Sequence, residues 1–140
     1  MTLSRSPSDG GAVLRMPEAT RQFLAQNAIC TLTTCRPDGS PHVTPVRFTW
    51  DAHAGLARIM TVASRRKARN ISDNPQARAS ICQLVGYSWA TLEGPAAVSA
   101  DPDRIAEGTR RYTERYRSPP PGPPGLVVIE IAVDWVMGQH

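Results

Sequence analysis

Apolar and β-branched residues occur in short runs separated by turn residues, a pattern typical of β-strands. The turn signal is clearest after the first run, where RPDGS supplies the Pro, Asp and Gly of a tight hairpin turn. The runs that we predict as strands are residues 28–35, 41–50, 56–64, 77–85, 87–99 and 126–138. Six strands with a few short helices predict a mainly β fold, a closed or partly closed antiparallel barrel.

Three further segments have the spacing and end signals of helices. Residues 16–27 place Pro17 at a helix start, and residues 64–74 form a second helix for which we predict Ser64 as the N-cap. A third helix follows Asp101 as its N-cap. The residues that recur on one face of this third helix are Ile105, Thr109, Tyr112 and Tyr116.

The chain of 140 residues fits one domain that buries a core without disulfides or metal. Residues 1–15 are polar and Gly-rich, so we expect a flexible N-terminal arm and assign the folded domain to residues 16–140. The run SPPPGPPG predicts a rigid, extended connector, because too little chain follows it to form a second domain.

Neither a membrane span nor a disulfide framework is indicated. No apolar run approaches the roughly 18 residues of a spanning helix, and the N-terminus has no apolar stretch typical of a signal peptide, so we expect a cytoplasmic protein. Cys30, Cys35 and Cys82 are odd in number, which favours reduced thiols. Cysteine and histidine spacing indicates no metal site.

The charge balance is basic, with a net charge of +4. This excess fits either an anionic cofactor or a nucleic acid. Fifteen of the sixteen basic residues are Arg, and Lys67 is the only Lys. Because its basic run is not interleaved with exposed aromatic residues, we do not expect a nucleic-acid-binding protein.

Lys67 lies in the run MTVASRRKARN, where a predicted strand leads into a predicted helix. Free backbone N–H groups at a helix start suit a phosphate, and the Thr61 and Ser64 hydroxyls and the charges of Arg65 and Arg66 add further donors. A solvated basic helix face is the alternative interpretation of this run.

The second predicted strand, PHVTPVRFTW, is interrupted by Pro45, which cannot donate to a sheet ladder and indicates an edge, a bulge or a pocket wall. Val46, Phe48 and Trp50 of this strand are alternatively core residues, the interpretation that we favour for Phe48. The sequence contains no catalytic triad, no paired-carboxylate arrangement and no G-x-S-x-G motif, so no catalytic residue is predicted.

Three stretches in this order, TLTTCRPDGSPHVTPVRFTWD, RIMTVASRRKARNISDNPQARASI and YSWATLEGPAAVSAD, resemble the pyridoxamine phosphate oxidase-like superfamily. The resemblance covers about residues 17–138 and is strongest to the actinobacterial branch that uses the deazaflavin coenzyme F420, which includes biliverdin reductases. It implies an antiparallel split β-barrel of the FMN-binding type.

The resemblance also implies a cofactor site. A Lys at the position of Lys67 grips the cofactor phosphate, and the strand around Pro45 lines the ring. The candidate cofactor-binding residues are His42, Thr44, Pro45, Val46, Met60, Thr61, Ser64, Arg65, Arg66, Lys67, Gln83 and Trp89. Gln83 is alternatively a polar residue on the sheet surface, and Trp89 is alternatively a packing residue. Arg47 departs from the family pattern, and we expect it to bind a substrate carboxylate or the anionic reduced ring; the alternative is a side chain that points to solvent.

The function implied is a reductase that uses reduced F420 (F420H2) to transfer a hydride to a conjugated small-molecule acceptor, with biliverdin or a related tetrapyrrole as the best candidate. One alternative is an FMN-dependent enzyme resembling pyridoxamine phosphate oxidase. Another is a non-catalytic protein of the same fold that binds a cofactor or haem. Members of the family are homodimers with sites drawn from both subunits, so we expect a homodimer.

Overall fold

The computed structural model describes residues 2–4, 16–122 and 124–140. These residues form nine strands and three helices. The strands are β1 (Thr2–Ser4), β2 (Cys30–Cys35), β3 (Pro41–Val46), β4 (Thr49–Asp51), β5 (Leu56–Val62), β6 (Arg78–Val85), β7 (Ser88–Ser99), β8 (Leu126–Ala132) and β9 (Trp135–Gln139). The helices are α1 (Glu18–Leu24), α2 (Arg66–Ser72) and α3 (Pro102–Tyr116). No helix among them is long and apolar enough to span a membrane.

All strand pairs are antiparallel and join in the order β3–β2–β6–β7–β8–β5–β4, while β9 pairs with β7 and β1. The twelve-residue strand β7 belongs to both halves of this sheet. Its first part pairs with β6 and β9, and residues 96–99 pair with β8. The predicted mainly β, antiparallel split barrel is therefore confirmed.

Each of the six predicted strands is present, but two of them are divided. The second is interrupted at residues 47–48, and the last is interrupted at residues 133–134, where the chain crosses between the two halves of the sheet. One strand was not predicted: β1 lies inside the predicted N-terminal arm and pairs with β9. The rest of that arm, residues 1 and 5–15, lies outside the described residues.

The change of β7 from one half of the barrel to the other requires a glycine at position 94. A Cβ atom on Gly94 would lie 2.0 Å from the carbonyl oxygen of Ala132, at the end of β8. Only a residue without a side chain permits this approach. Just beyond Ala132, the N–H of Asp134 donates to the carbonyl of Glu93 at 2.9 Å and directs the chain into β9.

Apolar side chains from both halves fill the barrel, and α1 adds Phe23 and Leu24 to this core. Phe48 is fully buried, so its predicted place in the core is confirmed. Cys30 is buried and Cys35 exposed, at opposite ends of β2 and on opposite faces. Burial raises the pKa of the Cys30 thiol to about 11, which keeps it protonated near neutral pH.

Candidate functional site

An open cleft lies beside β3, at the junction of β5 with α2 and the segment that follows α3. It consists of two adjoining cavities with volumes of about 440 and about 470 Å³. Met60, Lys67 and Pro121 line both cavities, so the two cavities form one continuous cleft. We call the cavity beside α2 the cationic end and the other cavity the apolar end.

The cationic end carries three positive side chains, Arg65, Arg66 and Lys67, and no carboxylate. Burial, reinforced by the charge of Arg65, lowers the pKa of Lys67. The other lining residues are His42, Thr44, Met60, Thr61, Val62, Pro121 and Gly122. Because a bound anion would offset the repulsion among the cations, this end suits a phosphate or carboxylate group.

Polar groups beside these cations provide hydrogen bonds for such a ligand. His42 and Thr44 are two residues apart on β3, so their side chains lie on the same side of the strand. The Nδ1 atom of His42 is buried and has no hydrogen-bond partner among the described residues. Since buried polar atoms are normally bonded, this unpartnered nitrogen fits a site completed by a bound ligand.

The apolar end has the surface that a flat ring requires. Ile29, Pro45, Val46, Ile59 and Met60 contribute apolar surface there. Among the described strands β3 pairs only with β2, so Pro45 lies on an edge strand, one of the three positions that its sequence context indicated. A planar cofactor could lie across this surface with its charged substituent in the cationic end.

Arg47 lies in the break between β3 and β4 and lines the apolar end. Its Nη1 atom donates a hydrogen bond to the Tyr112 hydroxyl at 3.1 Å. Its guanidinium carbon is 5.0 Å from the centre of the Tyr116 ring, within range of a cation–π contact. Within the described part of the chain Arg47 forms no salt bridge, so its charge is available to an anionic ligand.

Ten of the thirteen positions expected from the sequence line this cleft. They are His42, Thr44, Pro45, Val46, Arg47, Met60, Thr61, Arg65, Arg66 and Lys67. The remaining three, Ser64, Gln83 and Trp89, do not line it.

Ser64 is exposed in the turn before α2. The predicted N-cap at Ser64 is wrong, because α2 begins one residue later than expected and Arg65 occupies the cap position without a side-chain hydrogen bond. Trp89 is half-buried on β7, opposite Gln139 of β9. Its carbonyl oxygen lies 3.2 Å from Nδ1 of His140, at the C-terminal end of the chain.

Gln83 is fully buried inside the barrel. Its side-chain nitrogen donates to the carbonyl of Phe23 at 2.7 Å, and its side-chain oxygen accepts a hydrogen bond from Arg115 at 2.9 Å. Gln83 therefore links α1 to α3 through the core, and its amide is bonded within the protein rather than directed into the cleft.

Several lining residues were not predicted from the sequence. Pro121 and Gly122 come from the segment predicted only as a rigid connector, and Tyr112 comes from the recurring face of the third predicted helix. The rigidity of the proline run indicated that this segment could form one side of a binding cleft. Ile29 and Ile59 carried no signal, because isolated apolar residues in strands are equally typical of a core.

A second groove, of about 450 Å³, lies between α1, β4 and α3 and is also rich in arginine. Its most buried cation, Arg115, donates to the carbonyls of Gln26 and Phe48 and to Gln83. Arg111 forms ion pairs with Asp51 and Glu107. Since these groups are bonded within the protein, we interpret this groove as structural and the cleft beside β3 as the candidate cofactor site.

Comparison with known sequences identifies the family and a relative of this chain. The family model described as pyridoxamine 5'-phosphate oxidase matches residues 16–140. One relative, the F420H(2)-dependent biliverdin reductase of Mycobacterium tuberculosis (strain CDC 1551 / Oshkosh), is 39% identical over 125 residues, which cover 89% of each chain.

Solved structures agree with the sequence comparison. An F420 reductase has a TM-score of 0.69 at 25% identity, over 87% of this chain and 98% of that chain. General stress protein 26 of Bacillus anthracis str. Sterne has a TM-score of 0.65 at 20% identity, over 86% of this chain and 91% of that chain, and shows the fold alone. The match over residues 16–140 and the split barrel together establish that this chain belongs to the pyridoxamine 5'-phosphate oxidase family.

Proposed function

We propose that this protein is a reductase that uses the reduced deazaflavin coenzyme F420 (F420H2) to transfer a hydride to a conjugated acceptor, with biliverdin or a related tetrapyrrole as the substrate. The observation that carries the proposal is the division of the cleft into a cationic end and an apolar end that share Lys67. The 39% identical relative, named for F420H2 and biliverdin, supports this choice of coenzyme and acceptor.

The number of cations favours the deazaflavin over FMN. FMN ends in one phosphate, whereas the deazaflavin continues beyond its phosphate into a polyglutamate tail. Arg65, Arg66 and Lys67 supply more positive charge than one phosphate needs, and no carboxylate lines the same cavity. The surplus fits the carboxylates of the longer coenzyme.

Each group of residues then has a separate task. Lys67 and its neighbouring arginines bind the anionic part of the coenzyme, while Thr44 and Thr61 offer hydrogen bonds beside them. Val46 and Met60 form the apolar surface for the ring. Arg47 binds a carboxylate of the acceptor. When bound, the reduced deazaflavin supplies the hydride, and the protein orients the ring and excludes water from it.

The test is a titration of the protein with F420 and, separately, with FMN, followed by tryptophan fluorescence. We expect saturable micromolar binding of F420, weakened about tenfold or more in Lys67→Ala, because a charge-assisted hydrogen bond contributes about 1.5–3 kcal/mol. Arg69→Ala is the matched control, since Arg69 is exposed on the same helix and does not line the cleft.

Tighter binding of FMN than of F420 would contradict the proposal and favour the FMN-dependent enzyme. Binding of neither compound would contradict both. Binding of F420 without oxidation of its reduced form by biliverdin or a related tetrapyrrole would instead favour a non-catalytic binding protein.

We further propose a homodimer in which the partner subunit borders the cleft. Ile29, Val43 and Leu84 are 66%, 59% and 62% exposed. The pairing of β3 with β2 and of β2 with β6 places all three on the outer face of the sheet, together with Pro45. Since Ile29 and Pro45 also line the apolar end, the exposed apolar face is continuous with the cleft.

A further inference from the structure

Tyr112 borders the apolar end of the cleft from α3, although the sequence indicated only its position on one face of that helix. It is 5% exposed, and within the described part of the chain its hydroxyl has one hydrogen bond, which Nη1 of Arg47 donates at 3.1 Å. One helical turn earlier, Gly108 brings α3 so close to β5 that a Cβ atom there would lie 2.6 Å from the sulfur of Met60. This close approach holds the Tyr112 ring beside the cleft.

The direction of the Arg47–Tyr112 hydrogen bond determines what the hydroxyl of Tyr112 can do. A guanidinium group has only donors, so the phenol oxygen must be the acceptor. The hydroxyl proton of Tyr112 therefore remains without an acceptor among the described residues. Tyr116 differs, because its hydroxyl accepts from the N–H of Phe48 and lies 2.9 Å from the carbonyl of the same residue, to which it donates.

We propose that Tyr112 is the proton donor that complements hydride transfer, and this inference rests on the proposed function. The acceptor would be reduced by a hydride from the reduced deazaflavin: a C–H bond of the coenzyme breaks as the coenzyme is oxidised, a C–H bond forms on the acceptor, and an electron pair moves onto a conjugated nitrogen or oxygen atom of the acceptor. That atom takes the Tyr112 hydroxyl proton, so the phenol O–H bond breaks and a new N–H or O–H bond forms. Water then returns a proton to the phenolate.

Arg47 is the positioning residue for this step. It fixes the phenol oxygen by its hydrogen bond and holds the guanidinium charge where negative charge develops as the proton leaves. Contact with the Tyr116 ring restrains the arginine from its other side. The same side chain can bind an acceptor carboxylate through its other nitrogens, which would bring the conjugated system next to the Tyr112 hydroxyl.

The experiment replaces each of the three tyrosines by phenylalanine in the full chain. General acid catalysis typically contributes about 10²–10⁴-fold, so the hydride-transfer rate of Tyr112→Phe should fall at least about 100-fold. Its affinity for oxidised F420 should stay close to the wild-type value. Tyr87→Phe, at a fully exposed position, is the control that should keep the wild-type rate. A small buffer acid such as imidazolium should partly restore the rate of Tyr112→Phe and leave the wild-type rate unchanged.

A second readout needs no turnover. Protein labelled with ¹³C at tyrosine Cζ gives three signals, which the three variants assign. Adding biliverdin to the complex with oxidised F420 should move the Tyr112 signal and leave the Tyr87 signal in place. An unmoved Tyr112 signal, or a wild-type rate in Tyr112→Phe, would overturn the assignment of Tyr112.

The two proposals fail in different ways. Wild-type protein that does not bind F420 overturns the proposed function and, with it, the role of Tyr112. Normal F420 binding and biliverdin reduction in both wild type and Tyr112→Phe overturns the role of Tyr112 alone.

Discussion

At the scale of single residues, Lys67 occupies the place where the two ends of the cleft meet. It is the only lysine in a chain with fifteen arginines. An ammonium group is a compact charge that loses its proton more readily on burial than a guanidinium group does. Burial and the charge of Arg65 lower its pKa, so this environment disfavours the charged form that an anionic ligand needs.

Anion binding in the cleft should therefore depend on pH. A bound phosphate should raise the pKa of Lys67 toward its usual value, so binding takes up a proton wherever Lys67 is partly deprotonated in the free protein. The affinity for F420 should therefore fall as the pH rises toward the usual lysine pKa, about 10.4. Fluorescence titration at a series of pH values measures this affinity, and Lys67→Arg should bind F420 with little pH dependence. If the affinity of both proteins fell equally with pH, the role of Lys67 in binding the anion would be contradicted.

At the scale of elements, a buried set of charges ties β4, β5 and β8 to α3. Arg58 lies 2.8 Å from Asp51 and 3.6 Å from Glu130. From α3, Arg104 pairs with Glu130 at 2.7 Å and Arg111 with Asp51 at 3.2 Å. The set fixes α3, and thus Tyr112, against the sheet.

Removing the Asp51 charge should destabilise the fold, because Arg58 would remain buried with one partner fewer. We expect Asp51→Asn to lower the free energy of unfolding by about 3 kcal/mol, measured by urea unfolding near pH 7. Asp38→Asn, which changes an exposed carboxylate in the β2–β3 turn, is the control and should have a smaller effect. An equal loss in both variants would contradict a special role for the buried set.

The same carboxylate predicts how stability depends on pH. Burial alone would raise the pKa of Asp51, but hydrogen bonds from Arg58 and the Ala54 N–H and the charge of Arg111 give a net lowering. A lowered pKa in the folded state stabilises the protein above the unfolded value, about 3.9, and this contribution is lost as the pH falls through the folded value. Below about pH 4 the stability difference between wild type and Asp51→Asn should therefore shrink.

At the scale of the whole molecule, the cleft is open along the outer face of the β3–β2–β6 sheet. In a single chain, the side chains of Ile29, Val43 and Leu84 are exposed to solvent on that face. A second copy laid against this face would cover them and place its own residues beside the bound ring. Dimerisation and coenzyme binding should consequently be linked.

Val43→Asp should produce a monomer, because it places a charge in the middle of the proposed interface. Light scattering after gel filtration measures the molar mass, and we expect weaker F420 binding in the monomer. Gln22→Glu adds a charge at an exposed position on α1, outside this face, and should leave the dimer intact. A dimer that persists in Val43→Asp with normal F420 binding would place the interface elsewhere.

Much of this organisation follows from local patterns. The β-branched runs predicted all six strand regions, because alternation and turn chemistry are short-range properties. Arg65, Arg66 and Lys67 are neighbours in the chain, so their shared cavity was also expected. The points where the chain crosses between the two halves of the sheet were not predicted. The division of the last strand lies beside the close approach of Gly94 to Ala132, and these two residues are far apart in the sequence.

Local sequence patterns predict the strand-rich fold of the family and the basic junction between β5 and α2. Which polar strand residues face the cleft depends instead on contacts in the folded chain. Gln83 and Thr44 have similar strand contexts, yet Gln83 is enclosed by Phe23 and Arg115, whereas Thr44 stays open on an edge strand. Likewise Tyr112 reaches the cleft only because α3 packs closely on β5. Strand and helix periodicity is encoded locally, whereas the partner that covers each face is set by contacts between distant parts of the chain.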